Sequence, residues 1–298
     1  MALSNPVVAA LSGALLVGSY LYDPTTLPVA AAGVAAAWAA QLTTGGSRRA
    51  PPMDPKEYRK FTLVDKVPVS PNTAMYKFAL PHKDDKLNLP IGQHISVMAN
   101  INGKEVSRSY TPTSSSDDIG HFVLLIKSYP QGNISKLFGE LSIGDNISVR
   151  GPKGQFNYTA NMCRHIGMIA GGTGITPMLQ IIRAVVKNPE DKTQLSLIFA
   201  NVTEEDILLR AELEALAKKH PQLKVTYCLN TPPEGWTGYT GFVTADMIKE
   251  HMPKPADDIK ILLCGPTPMV SAMAKHTLDL GYQKANAISK LPDQVFKF

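Results

Sequence analysis

Near Cys163 the hydrophobic period of the chain changes, so one regular architecture cannot serve both halves. Between Tyr58 and Tyr158 short alternating runs recur: "FTLVDKV", "TAMYKFAL", "QHISVMANI", "VSRSYTPT", "HFVLLIKSY" and "NISVRG". Turn residues punctuate them at the spacing of an antiparallel sandwich or barrel. One helical piece interrupts, "NISKLFGEL" from Asn133 to Leu141, with a capping residue early and a glycine breaking it late. Six strands and one short helix make a small closed antiparallel β-barrel the economical arrangement. After Cys163, apolar strands such as "HIGMIA", "LSLIFAN", "KVTYCL" and "IKILLCG" alternate with helical periods such as "PMLQIIRAVVKN" and "DILLRAELEALAKKHP". That alternation predicts an α/β doubly wound parallel sheet, whose ligand sits at the carboxyl ends of its strands. A chain of 298 residues can bury two such cores.

Four stretches carry chemistry. "MIAGGTGITPM", residues 168–178, closes the first strand of the second half and opens its first helix without a single charge. No lysine occurs between His165 and Val186, so the cation of a P-loop is missing, and the pattern is not G-x-G-x-x-G either. The physics is still that of a nucleotide loop. Gly171, Gly172 and Gly174 allow close backbone approach, and Pro177 suits an early helical position beyond a capping Thr176. A structural turn with no ligand is the alternative. "LLCGPTPM", 262–269, repeats the strand–glycine–proline–helix arrangement, and in a doubly wound sheet the two loops can face one crevice. Cys264 is either poised at that crevice or a small buried thiol. In the first half, "RSYTPTS" offers a cation, a stacking face and hydroxyls together: Arg108 suits a pyrophosphate, Tyr110 a ring or ribose, and Thr111 a ring heteroatom. "GNIS", 132–135, adds a helix start whose N–H groups favour negative charge. An exposed strand and turn without a ligand reads the same way.

The amino-terminal region is apolar. No charge occurs from Ala2 to Tyr22, and a second run follows from Leu27 to Leu42. A hydrocarbon core of roughly 30 Å needs about 20 helical residues, which the first run reaches and the second approaches. A cleaved signal peptide would carry a basic n-region, absent here, so a retained membrane anchor is expected, with a buried apolar hairpin as the alternative. Arg48, Arg49, Lys56, Arg59 and Lys60 follow, which places the bulk of the chain in the cytosol. "TTGGSRRAPPMDP" reads as a linker. The expected division is therefore 1–50 anchor and linker, 51–160 barrel, and 161–298 α/β domain. Asp23 is the only charged residue before Arg48, so the remainder carries +6 of a net +5. That suits an acidic partner, and no basic run with interleaved aromatics points to nucleic acid. Cys163, Cys228 and Cys264 match neither a metal-binding spacing nor a disulfide framework.

Taken in order and spacing, "RSYTPTS", "GPKGQF", "GGTGITPM", "FANVTEEDILLRAELE" and "CGPTPMV" resemble the NADH-cytochrome b5 reductase family, fungal type, within the ferredoxin-NADP reductase-like superfamily. The similarity covers about residues 52–298. It implies a Greek-key FAD domain followed by an NADH domain, with the flavin between them. By motif it assigns Arg108, Tyr110 and Thr111 to FAD, with Thr111 and its neighbour His94 near the ring edge that accepts hydride. It puts Leu125 and Lys127 on the next strand, Lys127 also toward the nicotinamide nucleotide. Gly132, Asn133, Ile134 and Ser135 would hold the pyrophosphate, and Thr176 would touch the flavin from the second domain. Gly171, Gly172, Thr173 and Gly174, with Cys264, Gly265, Pro266 and Met269, would line the NADH crevice.

The implied reaction takes hydride from NADH and delivers single electrons to cytochrome b5 or another acidic small redox protein. Members similar to this chain are also linked to electron supply for diphthamide synthesis. The implied location is the mitochondrial outer membrane or the endoplasmic reticulum. The family associates an aspartate after the third strand of the second domain with NADH preference, whereas "TYCLNTPP" places Asn230 there, which leaves NADPH use open. The rival readings are a flavin reductase with a different acceptor and a non-catalytic, membrane-tethered nucleotide sensor.

Overall fold

A computed structural model describes residues 12, 14–17, 21, 23, 25, 28–35 and 50–298. The chain divides into two compact units, Met1–Ala50 and Pro51–Phe298. Within the first, residues 28–35 are helical. Most of the two apolar runs read above lies outside the described residues, among which no helix is long and apolar enough to cross a membrane.

The second unit contains two sheets. The first joins β1 (Arg59–Ser70), β2 (Thr73–Ala79), β3 (His94–Ile101), β4 (Lys104–Tyr110), β5 (His121–Lys127) and β6 (Asn146–Lys153) in the order β4-β3-β6-β1-β2-β5. All its pairings are antiparallel. Alternation sets the faces: Tyr76 and Phe78 of β2, and Phe122, Leu124 and Ile126 of β5, point into one core. Asn102 and Gly103, both at positive φ, make the two-residue turn that matches the twist of the β3–β4 hairpin. The expected closure is not made by a strand ladder, because β4 and β5 stand at opposite ends of the strand order. Irregular chain spans that gap instead: the N–H of Thr113 donates to the Val123 carbonyl at 2.9 Å, and the Val123 N–H donates to Ser114 Oγ at 3.0 Å. Helix α1 (Ile134–Glu140) lies nearby, its Phe138 ring meeting Tyr76, Phe78 and Tyr110 edge-on at 5.1–6.2 Å.

The second sheet is wholly parallel. Its strands are β7 (His165–Gly171), β8 (Gln194–Asn201), β9 (Leu223–Leu229), β10 (Tyr239–Thr240), β11 (Ile259–Cys264) and β12 (Val295–Lys297), ordered β10-β9-β8-β7-β11-β12. Helices α2 (Ile175–Lys187), α3 (Arg210–Lys219), α4 (Ala245–His251) and α5 (Thr267–Asp279) connect them. The chain runs one way from β7 through β8 to β10 and returns to the other side of β7 as β11, so the switch point falls between β7 and β11.

Three local expectations change. Helix α3 starts at Arg210 rather than near Asp206, because Leu209 adopts a left-handed conformation, φ 57°, and the preceding residues turn. Thr176 is not a cap: Gly174 occupies that position, and the Thr176 hydroxyl sits inside α2 and donates to the Thr173 carbonyl at 3.1 Å. Asn133 holds the cap position of α1 without a side-chain bond.

The two sheets pack directly. Leu125 of β5 points away from its own core and joins Phe156, Tyr158 and the buried residues of β7, β8 and α2. Along α2, Gln180 Oε1 accepts from the Gly92 N–H at 2.7 Å, while Arg183 forks onto Glu212 at 2.7 and 2.8 Å and donates to the Thr113 carbonyl.

Candidate dinucleotide cleft

The carboxyl ends of β7 and β11 open into a cleft of about 830 Å³ whose other wall is the first sheet. The β3–β4 pairing sets Ile95 opposite Tyr110, which brings His94 and Thr111 to the same end of the hairpin. His94, Arg108, Tyr110 and Thr111 all line the cleft, with Leu125 and Lys127 at the end of β5. Gly132, Asn133, Ile134 and Ser135 enter at the start of α1, which Ile134 and Phe138 pin into the core. From the second sheet come Gly171, Gly172, Thr173, Gly174 and Thr176 on one loop, and Cys264, Gly265 and Pro266 on the other.

Of the residues assigned to the two cofactors, Met269 alone is not on the cleft wall; Asn230, after β9, is not on it either and donates to the Gly241 carbonyl at 3.3 Å. The Met269 sulfur sits behind the loop, 2.5 Å from where a Cβ on Gly171 would lie. The two loops touch: a Cβ on Gly174 would lie 2.3 Å from the Cys264 carbonyl oxygen, a contact only glycine permits. A Cβ on Gly132 would lie 2.0 Å from Ser135 Oγ.

The ionisable groups are held in defined states. Burial, followed by the Lys153 ammonium, pulls the His94 imidazole below its usual range, so it is neutral near pH 7. Burial pushes the Tyr110 phenol and the Cys264 thiol each up to about 12, so both keep their protons. Cys264 therefore offers no thiolate nucleophile. Lys127 Nζ donates to Asp206 Oδ1 at 2.6 Å. Arg108 donates to its neighbour's carbonyl, Ser107 O, at 2.8 Å.

Sequence reading passed over Ser109, Tyr129 and Gln131, which line the cleft. Pro177 lines it too, as does the carboxyl-terminal Phe298, whose N–H donates to the Leu263 carbonyl at 3.0 Å. Asp206 lay within what read as a helix, and its only signal was an acidic residue in "TEED".

A switch-point cleft shared by an antiparallel and a parallel sheet is a site for a dinucleotide-sized ligand, and the matched families make it that of a flavin- and nicotinamide-binding oxidoreductase. The family description "Oxidoreductase FAD-binding domain" matches residues 60–158, and "Oxidoreductase NAD-binding domain" matches 168–275. NADH-cytochrome b5 reductase 1 of Mortierella alpina is 76% identical over all 298 residues, covering 100% of both chains. Its counterpart in Aspergillus fumigatus is 56% identical over 96% of this chain and 95% of that one. The crystal structure of the cytochrome b5 reductase domain of Ulva prolifera nitrate reductase matches with a TM-score of 0.76 at 34% identity, covering 84% of this chain and 100% of that one. The chain belongs to the NADH-cytochrome b5 reductase family.

The residues present fit both groups. A Cβ at Gly132, Gly171 or Gly174 would collide with neighbouring atoms of the loops and one at Gly265 would press on the Gly171 N–H, so these turns keep their backbone bare, and Arg108 supplies positive charge beside them.

Proposed function

We propose that this chain takes hydride from NADH onto FAD in the cleft between its sheets and passes single electrons to cytochrome b5 or a similar acidic small redox protein. The observation that carries this is the convergence of the Arg108-Tyr110-Thr111 strand end with the touching glycine loops of β7 and β11, in a chain of this family. FAD, when bound, supplies the conversion between a two-electron donor and a one-electron acceptor.

The chain's own residues bind, orient and hold protons. Arg108 and the backbone at the start of α1, Gly132 to Ser135, would hold the FAD pyrophosphate, and Tyr110 would face a ring or the ribose. Thr111 and the neutral His94 would bind near the part of the flavin that accepts hydride, with Thr176 contributed by the second sheet. Gly171 to Gly174 and Cys264 to Pro266 admit NADH, and Lys127 offers it a cation. No residue is asked to shuttle protons, in keeping with the neutral imidazole and the protonated phenol and thiol.

In this reading residues 51–160 form a Greek-key FAD barrel and 161–298 the NADH domain. Residues 1–50 tether them, facing the cytosol, to the mitochondrial outer membrane or the endoplasmic reticulum. The surplus of positive charge beyond residue 47 favours an acidic partner.

Purified protein should be yellow, bleach on addition of NADH, and reduce cytochrome b5 at a rate that falls as salt is raised. A colourless protein that leaves ferricyanide unreduced in the presence of NADH sinks the reading in favour of a nucleotide sensor. Turnover with cytochrome b5 that is flat in salt removes the electrostatic docking.

A further inference from the structure

Lys127 is a shared group. It lines the cleft at the end of β5, yet its ammonium is 2.6 Å from Asp206 Oδ1, on the connection between β8 and α3. Asp206 is not itself on the cleft wall and reaches the lysine from the side. The two side chains are only 16% and 24% exposed, so solvent screens the pair weakly. The other carboxylate oxygen, Oδ2, accepts from the N–H and hydroxyl of Thr203 at 3.3 Å each, which fixes the carboxylate to its own loop. Burial pushes the Asp206 carboxyl up, but Lys127 and Thr203 outweigh it and leave it below the ordinary carboxylate range, so it is ionised throughout the neutral region. An anionic nucleotide entering the cleft thus meets a lysine whose charge is already matched.

We propose that Asp206 is a positioning residue that competes with the nicotinamide dinucleotide for Lys127, setting nucleotide affinity and moderating the hold on product. The inference rests on the assignment of the cleft to NADH given above. When the nucleotide takes the ammonium, Asp206 keeps its Thr203 bonds, so the exchange costs one ion-pair contact and no rearrangement of the loop. The pair also joins β5 of the first sheet to a loop of the second, so nucleotide binding and the junction between the sheets draw on the same cation.

The test is equilibrium binding of NAD+ to the flavin-loaded protein by calorimetry, with four proteins: unmodified, Asp206→Asn, Lys127→Met, and both together. Asp206→Asn preserves the size of the side chain and an acceptor for Thr203, and its flavin absorbance and melting temperature report intact folding. It should bind NAD+ about fivefold to tenfold more tightly at low salt, with a steeper salt dependence than the unmodified protein. In the Lys127→Met background the same substitution should change affinity by less than about twofold. Equal tightening in both backgrounds means general repulsion by the carboxylate and overturns the competition. Unchanged or weaker binding by Asp206→Asn overturns it as well. If Asp206→Asn loses its flavin, the salt dependence of the unmodified protein decides: a steep slope there means that Lys127 is not neutralised, and a shallow one upholds the pair. Failure of the unmodified protein to bind NAD+ at all is a separate outcome that defeats the nucleotide reading, and this inference with it.

Discussion

The antiparallel sheet meets the cleft with its charged and aromatic side chains, the parallel sheet with two glycine-rich loops. From the first come the side chains of Arg108, Tyr110, Thr111, His94 and Lys127, with the start of α1 at Gly132 to Ser135; from the second come Gly171, Gly172, Gly174 and Gly265 at two strand ends, interleaved with Thr173, Thr176, Pro177, Pro266 and the half-buried Cys264, and Phe298. The difference follows from geometry. Strand ends in a hairpin sheet project side chains across the rim, whereas a parallel strand feeding a helix presents unpaired N–H groups at the turn. Mutational sensitivity should therefore be inverted between the halves: removal of atoms harms the first, and addition of atoms harms the second.

The largest expected effect falls on the first half. Phe138→Ala empties the space where α1 meets Tyr76, Phe78 and Tyr110, and should cost about 3–5 kcal/mol in thermal or denaturant unfolding, with flavin lost in parallel. Next, Gly174→Ala forces a methyl against the Cys264 carbonyl and should cost about 1–3 kcal/mol, while weakening NADH binding more than flavin retention. Retained NADH affinity would break the contrast. Arg108→Ala should loosen FAD by roughly tenfold or more in a flavin-release assay, as expected for loss of a charge-assisted contact. Cys264→Ala should change it by less than about threefold, and the reverse order would transfer the flavin contact to the wrong half.

The smallest effect concerns pH. Burial keeps His94 and His165 neutral below the usual histidine range. The unfolded chain therefore takes up these protons first. Their contribution to stability is present above the unfolded value of about 6.5 and is lost as pH falls through the lower folded values. Melting temperature should fall on acidification below about pH 6.5, and His94→Gln should flatten part of that limb.

Much of this contrast is legible in the sequence. The period change at Cys163 separates the sheets, and charge-free glycine loops at strand–helix junctions mark the second wall because backbone recognition leaves a compositional trace. What escapes is short or non-local. β10 and β12 span two and three residues, too few to show any period. The late start of α3 depends on the left-handed Leu209, in a stretch whose composition favours helix. Asp206 gains its meaning from Lys127, 79 positions away, which no local pattern encodes. Phe298 enters the cleft through pairing of the carboxyl-terminal strand with β11.

Leu125 hydrogen-bonds as a member of one sheet and packs as a member of the other. The halves are thus not interchangeable cassettes. In a hybrid joining the first half to a foreign second half, Leu125, Phe156 and Tyr158 would have to pack on residues they did not fold with, so such a hybrid should melt lower than its parents unless the facing residues of β7, β8 and α2 are carried across as well.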